Sequence, residues 1–296
     1  MYYLKRFDEL SIKYYLNHSM KAHTTLKVGG NAKIYIRPKT FRELEHCISI
    51  LSLSKVKYKV VGNGSNILVS DKGYEGAIIS TKNLNFITVN GNEVTASCGV
   101  NLNLLIKNLR DKNLSGLEKL YGIPATVGGA VVMNAGAFNE TISQKLIKVC
   151  ALTNGKMVCY DKNQCAFSYR KSRFLNKKSV VLSATFLLDT LDKSQIDANI
   201  NETIEFRNKT QPKCRSCGSI FKNDKFAPSG LLIDKCGLKG FTIGNANVST
   251  IHANFINLKE GCTAQEIYDL ILAVKQKVKE KFNVSLVEEV EFLGEF

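Results

Sequence analysis

Apolar residues recur at helical spacing after residue 40 and predict the first clear element of the chain, a helix over about 41–53. The residues that share its apolar face are Leu44, Cys47, Ile48 and Leu51. Thr40 and Glu43 match the capping-box pattern, in which each side chain accepts a hydrogen bond from the backbone of the other residue. The helix is therefore expected to begin just after Thr40.

Short apolar runs bounded by Gly, Asn or Ser predict strands in the region that follows. They are YKVVG (58–62), ILVS (67–70), GAIIS (76–80) and VVLSATFLL (180–188). FITVNGNEVTAS and VCALTNGKMVCY each predict a hairpin, with turns at Asn90-Gly91 and Asn154-Gly155, because this dipeptide accepts the positive φ of a type I′ turn. With a further helix over about 101–112, residues 20–190 form a mixed α+β region.

The character of the chain changes near residue 190, where we place the boundary between two regions. A helix is predicted over about 193–209, with Ile196, Ile200 and Ile204 on one face. SGLLIDKCG (229–237) predicts a short helix that Ser229 caps and Gly237 stops.

One long helix and one strand are predicted to end the chain. Thr263 and Glu266 form a second capping box, which opens a helix to about 282. Its apolar stripe is Ile267, Leu270, Ile271, Val274 and Val278. The strand is LVEEVEFLG (286–294).

The chain has 296 residues and a formal net charge of +15, which raises the possibility of a nucleic-acid partner. The lysines are spread along the whole chain, and neither a zinc-finger spacing nor an aromatic RNA-binding run accompanies them. A lysine-rich composition, or a site for polyanionic small molecules, explains the charge equally well. No apolar run reaches the ~18 residues of a membrane span, and no secretory signal is recognisable at the N-terminus. We expect a cytoplasmic protein without a nucleic-acid or membrane partner.

The nine cysteines are an odd number, scattered through the chain. Most of them fall in apolar or strand-like runs, where a reduced thiol packs as a small hydrophobe. Cys47, Cys98, Cys150 and Cys159 are the examples. We expect reduced thiols and a reducing compartment.

Two stretches of small residues are hard to explain by packing alone. In VVGNGSNILVS (60–70), a strand runs into a turn of Gly, Asn and Ser that can present N–H groups to an anion such as a diphosphate. The alternative is a tight hairpin turn. In YGIPATVGGAVVMNAGAF (121–138), Pro124 is placed to start a helix, and the glycines and alanines allow a planar ligand to approach the backbone. The alternative there is close helix packing. Together they favour a dinucleotide held outside a Rossmann fold.

Several motifs resemble one known family, the UDP-N-acetylenolpyruvoylglucosamine reductases. TTLKVGGNA (24–32), VVGNGSNILVSDKGYEGAII (60–79) and GIPATVGGAVVMNAGA (122–137) resemble its flavin-binding segments. SYRKSRF (168–174), RSCGSIFKN (215–223), HANFIN (252–257) and the closing LVEEVEFLG resemble its active-site segments. The match runs in order over about 20–294, and the uninterrupted chain after residue 174 resembles the smaller type, which lacks a substrate-covering insertion.

The resemblance implies an α+β fold with a two-lobed FAD-binding region of the vanillyl-alcohol-oxidase/PCMH type and a smaller C-terminal α+β substrate domain. The FAD-binding region is expected over residues 20–190, with its lobes joined near residue 83, and the substrate-binding domain over 191–296. The C-terminal strand is expected to return to the active site.

The activity implied by the resemblance is reduction of the enolpyruvyl ether of a UDP-sugar to UDP-N-acetylmuramate, in peptidoglycan synthesis. NADPH supplies the hydride through FAD, and no obligate protein partner is inferred. The implied cofactor-binding residues are Gly62, Asn63, Gly64, Ser65, Asn66, Gly122, Pro124, Thr126, Gly128, Gly129, Asn134 and Gly136. No metal site is implied.

Three catalytic positions follow from the family motifs. Arg170 matches an arginine whose guanidinium stabilises the enolate that develops on the substrate carboxylate. Ser219 matches the proton donor, with Gly218 before it allowing a close approach. Glu289 matches a glutamate that polarises the carboxylate when burial keeps it protonated. Arg170, Ser219 and Asn223 are also expected to bind the substrate.

The chain departs from the family pattern at several positions. The pattern Leu-Glu-Pro-Glu-Val appears here as Leu-Val-Glu-Glu-Val, so Glu288 competes with Glu289 for the catalytic role. Ile251 stands where lysine is usual, and Asp224 stands where proline is usual. His252 is retained, and we expect it to be a structural histidine.

A flavin oxidase of the same fold is the alternative, because many such enzymes attach flavin covalently to His or Cys. No His lies between residues 47 and 251, so we expect non-covalent FAD, with Cys98 as the remaining candidate for a link.

Cys214 and Cys217 have the Cys-x-x-Cys spacing of a zinc or dithiol site. A zinc site needs a second pair about 15–20 residues on, and Cys236 has no partner. A thioredoxin-like dithiol would open a helix, which the following GSIFKN does not resemble. We interpret the pair as incidental and the stretch as the loop that carries Ser219.

Overall fold

The computed structural model describes residues 2–175, 179–224 and 227–296. In these residues the chain forms seven α-helices, numbered in chain order. They are α1 (Tyr2–Glu9), α2 (Phe41–Leu53), α3 (Leu102–Arg110), α4 (Val127–Val132), α5 (Lys193–Thr210), α6 (Ser229–Lys235) and α7 (Ala264–Phe282).

Eighteen strands are formed by the same residues. Those before residue 130 are β1 (Tyr14–Ser19), β2 (Asn31–Ile36), β3 (Tyr58–Val61), β4 (Ile67–Val69), β5 (Tyr74–Ser80), β6 (Ile87–Asn90), β7 (Glu93–Ser97) and β8 (Leu114–Ser115). The later ones are β9 (Gly136–Ala137), β10 (Glu140–Thr141), β11 (Leu146–Thr153), β12 (Lys156–Asp161), β13 (Ser179–Leu187), β14 (Asp189–Thr190), β15 (Thr242–Ile243), β16 (Ala246–Val248), β17 (Ile256–Leu258) and β18 (Glu291–Leu293).

The chain divides into two compact units, each assembled from separate segments. The first unit contains the residues up to Leu16, Ile34–Asn63 and Gly76–Phe206. The second unit contains Asn17–Lys33, Gly64–Glu75 and Arg207–Phe296. Helix α5 therefore lies in the first unit as far as Phe206, beyond the boundary predicted near residue 190. The division into compact units does not show which ligand each unit binds. The predicted FAD-binding and substrate-binding regions therefore stay predictions.

The first unit is built around an antiparallel sheet with the strand order β12-β11-β13-β7-β6. Consecutive residues are buried in both central strands, at 151–152 of β11 and at 181–182 and 184–186 of β13, so neither face of these strands is fully open to solvent. Helix α4 packs against β13, and α2 buries Leu44, Cys47 and Leu51 completely. In a second sheet, with the order β1-β2-β5-β3, β3 runs parallel to β5.

The second unit packs the long helix α7 against the small sheet β15-β16-β17. The predicted stripe of α7 is buried, with Ile267, Leu270, Ile271, Val274 and Val278 each at most 2% exposed. Strand β18 pairs in parallel with β4, which joins the end of the chain to residues 67–69.

Most predicted helix boundaries are confirmed. Helix α2 begins after Thr40, whose hydroxyl accepts from the Glu43 N–H, although Glu43 accepts from Lys39 N rather than from Thr40 N. The second capping box is complete, because Thr263 and Glu266 each accept from the other's backbone N–H.

The two Asn-Gly turns differ from one another. Asn154 and Gly155 both have positive φ, at +51° and +74°, so the predicted turn is confirmed. The other predicted hairpin is also formed, but its turn lies one residue later than predicted, because Asn90 is the last residue of β6 and pairs with Glu93. That turn is formed by residues 91–92, of which only Gly91 has positive φ.

Three predictions about element ends are also wrong. Pro124 does not begin a helix, because α4 starts at Val127 and is capped by Thr126. Ser229 is the first residue of α6 rather than its cap, and its hydroxyl donates to the carbonyl of Lys222. The closing strand is shorter than predicted, with only residues 291–293 in β18.

Cys150 and Cys159 form a disulfide, so the prediction that both are reduced thiols is wrong. They are directly opposite one another on β11 and β12, with their Cα atoms 4.0 Å apart. Adjacent antiparallel strands bring such a pair within bonding distance, which periodicity alone cannot reveal. The remaining seven cysteines are free.

Candidate active site

Ser219 and Glu289 lie in two extended segments of the second unit that are hydrogen-bonded to each other. The Glu289 N–H donates to the Ile220 carbonyl at 2.8 Å, and the Lys222 N–H donates to the Val287 carbonyl at 2.8 Å. Phe221 and Glu288 form the bridge between these two bonds. The structure therefore brings two of the predicted catalytic segments side by side.

Gly218 gives the loop before Ser219 its turn. Its φ is +80°, a value that costs other residues roughly 1–2 kcal/mol. A Cβ atom added at Gly218 would meet nothing within 4 Å. The backbone conformation is therefore one reason for the glycine, and the close approach to a substrate stays a prediction.

Glu288 and Glu289 have different surroundings, although they are neighbours in the chain. An oxygen of Glu288 lies 2.5 Å from Nζ of Lys275 on α7. The Glu289 carboxylate lies near the buried thiol of Cys217, whose pKa is raised to about 12, mainly by burial and also by this negative charge. The ion pair of Glu288 thus gives that side chain a structural role. Sequence reasoning could not find Lys275, because nothing in its helix marks it.

Asn66 connects the candidate cofactor loop to the segment of Glu289. Its side-chain amide donates to the Glu289 carbonyl at 2.9 Å, and its own carbonyl accepts from the Glu291 N–H at 3.0 Å. Asn66 therefore fixes the backbone segment that carries the Glu289 side chain. Its neighbour Ser65 is half-buried.

Asn223 is tied to the start of α6. Its side-chain oxygen accepts from the Ser229 N–H at 3.2 Å, which satisfies one of the N–H groups that a helix leaves unpaired. This bond fixes the orientation of the Asn223 side chain.

Arg170 lies in a tight turn of the first unit, between Ser168 and Lys171, which form a bridge. Its φ is +51°, an unusual value for a side chain of this size. Its guanidinium donates to the Gly136 carbonyl at 2.9 Å and lies 5.2 Å from the centre of the Tyr169 ring. The turn and these contacts fix the direction of the side chain.

Asn134 is hydrogen-bonded to the turn that carries Arg170. Its side-chain NH₂ donates to the Ser168 carbonyl at 2.9 Å, and the residue is only 4% exposed. Its side-chain oxygen is buried and has no hydrogen-bond partner among the described residues. Such an atom costs about 1–3 kcal/mol unless a ligand or water donates to it.

Close backbone packing explains several of the predicted cofactor glycines of the first unit. A Cβ at Gly62 would lie 2.1 Å from the Thr126 hydroxyl, and the Asn63 side chain donates to the Pro124 carbonyl at 2.8 Å. A Cβ at Gly128 would lie 2.7 Å from that of Cys98. Residues 62 and 63 therefore pack against residues 124 and 126 within the first unit.

The other glycines of these stretches differ in surroundings. Gly122 has φ of +90° and donates to the Asn103 side chain at 2.7 Å. A Cβ at Gly129 would meet only the Thr126 hydroxyl, at an ordinary 3.5 Å, and Gly129 is exposed. Packing within the chain does not require Gly129, which leaves its outer face open to a ligand.

Gly64 and Thr25 belong to the second unit. Gly64 has φ of +66°, and a Cβ there would lie 2.2 Å from the His23 carbonyl. Thr25 donates its N–H to the Gly64 carbonyl at 3.3 Å, and its buried hydroxyl has no partner among the described residues. Sequence reasoning did not single out Thr25, although it belongs to the segment TTLKVGGNA.

These features fit FAD. The Asn134 oxygen requires a donor, and the Thr25 hydroxyl has a proton to donate; a flavin nucleotide has both N–H and phosphate groups. The glycines at 62, 64 and 128 leave no room for side chains at these positions.

His252 has a structural role in the fold. Its Nδ1 accepts from the Asn254 N–H at 3.2 Å, and its ring packs on that of Phe255 at 4.8 Å. Burial lowers its pKa, which keeps the ring neutral near pH 7. Ile251 before it is 54% exposed.

The fold and these residues define a flavoprotein with an FAD-binding region of the PCMH type and an additional C-terminal α+β domain. The FAD binding domain family matches residues 32–155. A glucose dehydrogenase, Phl p 4.0202, has the same fold over 65% of this chain and 45% of its own, with a TM-score of 0.51 and 13% sequence identity.

The chain belongs to the UDP-N-acetylenolpyruvoylglucosamine reductase family. It is 40% identical to the reductase of that name from Clostridium novyi over 94% of this chain and 92% of the relative. The C-terminal domain family of the same reductases matches residues 210–293. The crystal structure of the Thermus caldophilus reductase superimposes with a TM-score of 0.81 and 33% identity, covering 96% of this chain and 99% of that one.

No helix among the residues described has the length and hydrophobicity that crossing a bilayer requires.

Proposed function

We infer that the protein is a UDP-N-acetylenolpyruvoylglucosamine reductase, which reduces the enolpyruvyl ether of UDP-N-acetylglucosamine to the lactyl ether of UDP-N-acetylmuramate. The observation that carries this conclusion is the 40% identity to a reductase of that name over 94% of the chain. The oxidase likeness, at 13% identity, concerns the fold alone.

FAD is the cofactor, and NADPH is the reductant. When bound, FAD supplies the hydride chemistry, taking a hydride from NADPH and delivering it to one carbon of the alkene. The residues that would hold FAD are those of the two small-residue stretches, with Asn134 and Thr25 offering the groups that lack partners. We propose that the flavin is not covalently bound. No His lies between 47 and 251, and Cys98 is 1% exposed with its pKa raised to about 12, mainly by burial.

Arg170 is proposed to stabilise the negative charge that develops on the substrate carboxylate. A guanidinium offers two parallel N–H donors to a carboxylate, and a donor at comparable oxyanion sites is worth roughly 3 kcal/mol. The proposal is supported by its left-handed backbone and its fixed guanidinium, because strained conformations persist where function requires them.

Glu289 is proposed to polarise the substrate carboxylate in its protonated form. The hydrogen bond from the Asn66 side chain to the Glu289 backbone carbonyl supports this assignment, because it fixes the segment that carries the side chain. The ion pair with Lys275 argues against Glu288 in the same role.

Ser219 is proposed to donate a proton to the second carbon of the former double bond. The hydride and this proton together convert the alkene to an alkane, and the serine regains its proton from solvent. A serine is a weak acid, so its placement must supply the catalysis. Asn223, held by Ser229, is proposed to donate a hydrogen bond to the sugar nucleotide.

We propose that the enzyme acts in the cytoplasm on a UDP-sugar and NADPH, without an obligate protein partner and with neither a membrane nor a nucleic acid. The test is whether purified, yellow protein oxidises NADPH only when the enolpyruvyl sugar nucleotide is added. Colourless protein that takes up no FAD would contradict the proposal, and so would NADPH oxidation that ignores the sugar nucleotide.

A further inference from the structure

A cavity of about 200 Å³ lies in the second unit, and four of its eleven lining residues are cationic. Its apolar lining includes Leu26, Val28 and Leu258. Four cations line it, namely Lys21, Lys27, Arg215 and Lys259, and Asp71 is the one acidic residue of its lining. The chain as a whole has 41 Lys and Arg against 26 Asp and Glu, so the ratio of four to one exceeds the general basic bias.

The four cations have no ion-pair partner among the residues that the structure describes. This distinguishes them from Lys33, Lys145, Lys239 and Lys275, which are all paired with acids. Four like charges that share a cavity with one carboxylate repel one another and leave a positive potential, which an anion would neutralise.

Asp71 offsets at most one of the four positive charges, and its carboxylate is also engaged with the backbone. One oxygen accepts from the Ala264 N–H at 3.1 Å, and the other accepts from the Gln265 N–H at 2.9 Å. Thr263 accepts from the Glu266 N–H, so its hydroxyl proton remains as a donor on the cavity side. The first turn of α7 is thus capped by the protein, and the cations attract the ligand.

Hydrogen bonds within the chain hold the segments that carry these cations. The Cys214 thiol donates to the Asn257 side chain at 3.1 Å, which places the next residue, Arg215, beside Leu258 and Lys259. Lys27 donates its N–H to the Thr24 hydroxyl at 3.2 Å and has φ of +55°. Both positions are therefore fixed by local structure before any ligand arrives.

The cavity volume limits the ligand. A water molecule occupies about 30 Å³ in the liquid, so the cavity has room for roughly six or seven waters. Pockets for drug-sized ligands occupy about 300–1,000 Å³, which is more than is present. A phosphoryl or diphosphoryl group fits the volume and the charge, whereas a whole nucleotide does not.

We propose that this cavity is a binding site for a phosphoryl anion, either inorganic phosphate or the diphosphate of a nucleotide whose remainder lies outside it. The site does not depend on the proposed reductase activity. Arg215 stands four residues before Ser219 on the same loop, so an occupied cavity would also restrain that loop.

Calorimetric titration of the FAD-loaded full-length protein with inorganic phosphate, and separately with inorganic diphosphate, tests the site at low ionic strength. Saturable binding that weakens with added salt is expected. Lys27→Glu and Arg215→Glu should each weaken it at least tenfold. Lys57→Glu changes the net charge equally, but Lys57 is outside the cavity lining, and it should leave the affinity within about twofold.

Absence of saturable binding would overturn the proposal, and so would equal weakening by Lys57→Glu and the two cavity variants. Melting temperature and flavin content of each variant show that it is folded. UDP-N-acetylglucosamine, which has no reducible double bond, distinguishes the two sources. Displacement of bound phosphate assigns the site to a nucleotide diphosphate, and undisturbed binding assigns it to free phosphate. Because the readout is binding, failure of this site and failure of the reductase activity are separable.

Discussion

Lys275 on α7 pairs with Glu288, with 2.5 Å between the ammonium nitrogen and a carboxylate oxygen. The neighbouring Glu289 instead stands beside Cys217 and is held through its backbone by Asn66 and Ile220. The sequence alone did not distinguish Glu288 from Glu289, whereas the fold gives the two carboxylates different surroundings.

This difference predicts opposite results for variants of the two glutamates. Glu289→Ala should lower kcat by about 10²–10³, the loss seen when one group that stabilises an oxyanion is removed. Glu288→Gln should leave kcat within about twofold and lower the free energy of unfolding by about 1–3 kcal/mol, because its ion pair with Lys275 is partly buried. Steady-state kinetics and urea unfolding measure the two effects. A large loss of kcat in the Glu288 variant alone would assign the catalytic role to Glu288.

Arg170 and Arg173 form a second matched pair. Arg173 lies 3.9 Å from the Tyr160 ring centre and donates to the Gln164 carbonyl at 2.6 Å, so its contacts are within the fold. Arg170→Ala should lower kcat by about 10²–10³ with little change in melting temperature. Arg173→Ala should cost roughly 1 kcal/mol of stability and leave most of kcat. Equal kinetic losses in both variants would mean that Arg170 acts only through the loop structure.

Variants of Gly128 and Gly129 distinguish a packing role from a role in cofactor binding. The Cβ of Gly128→Ala would lie 2.7 Å from that of Cys98, so this variant should lose about 1–3 kcal/mol of stability. Gly129→Ala meets only a hydroxyl at 3.5 Å in α4, so the protein without flavin should be as stable as the parent or slightly more stable. If FAD lies against this surface, its affinity for Gly129→Ala should still fall. Unchanged flavin affinity would remove Gly129 from the cofactor site.

Cysteine reactivity should differ between the two members of the Cys-x-x-Cys pair. Burial raises the pKa of Cys217 to about 12, so its thiolate fraction near pH 7 is on the order of 10⁻⁵. Cys214 is exposed. Iodoacetamide near pH 7 should therefore modify Cys214 and spare Cys217, as peptide mass spectrometry can show. Because reactivity requires the thiolate, labelling of Cys217 should begin only as the pH rises towards its pKa, and prompt labelling near pH 7 would show that the loop opens.

Local patterns predicted the elements whose ends are determined by neighbouring residues. Helix α7 has a complete capping box and a regular apolar stripe, and the Asn154-Gly155 turn has the backbone conformation expected for its sequence. Where the structure differs, tertiary contacts decide. Asn90 is drawn into β6 by its pairing with Glu93, and Ser229 hydrogen-bonds to Lys222 instead of capping α6.

In the candidate site, too, tertiary contacts determine what the sequence patterns could not predict. The family motifs pointed to Ser219, Glu289 and Arg170, but the motifs contain no sign of the Lys275–Glu288 ion pair or of the unpartnered groups on Thr25 and Asn134. The Cys150–Cys159 disulfide was missed because strand register, rather than sequence spacing, brings the two sulfurs together.

The central claim is that this chain reduces the enolpyruvyl sugar nucleotide and that Ser219 delivers the proton, and one anaerobic experiment tests both. The account predicts that NADPH bleaches the flavin of the parent and of Ser219→Ala at similar rates. It also predicts that the enolpyruvyl sugar nucleotide restores the colour of the parent, with a product heavier by two hydrogen atoms, but restores that of Ser219→Ala at least about 10²-fold more slowly. Equal reoxidation of both proteins would contradict the role of Ser219, and failure of the sugar nucleotide to reoxidise the parent would contradict the reductase assignment itself.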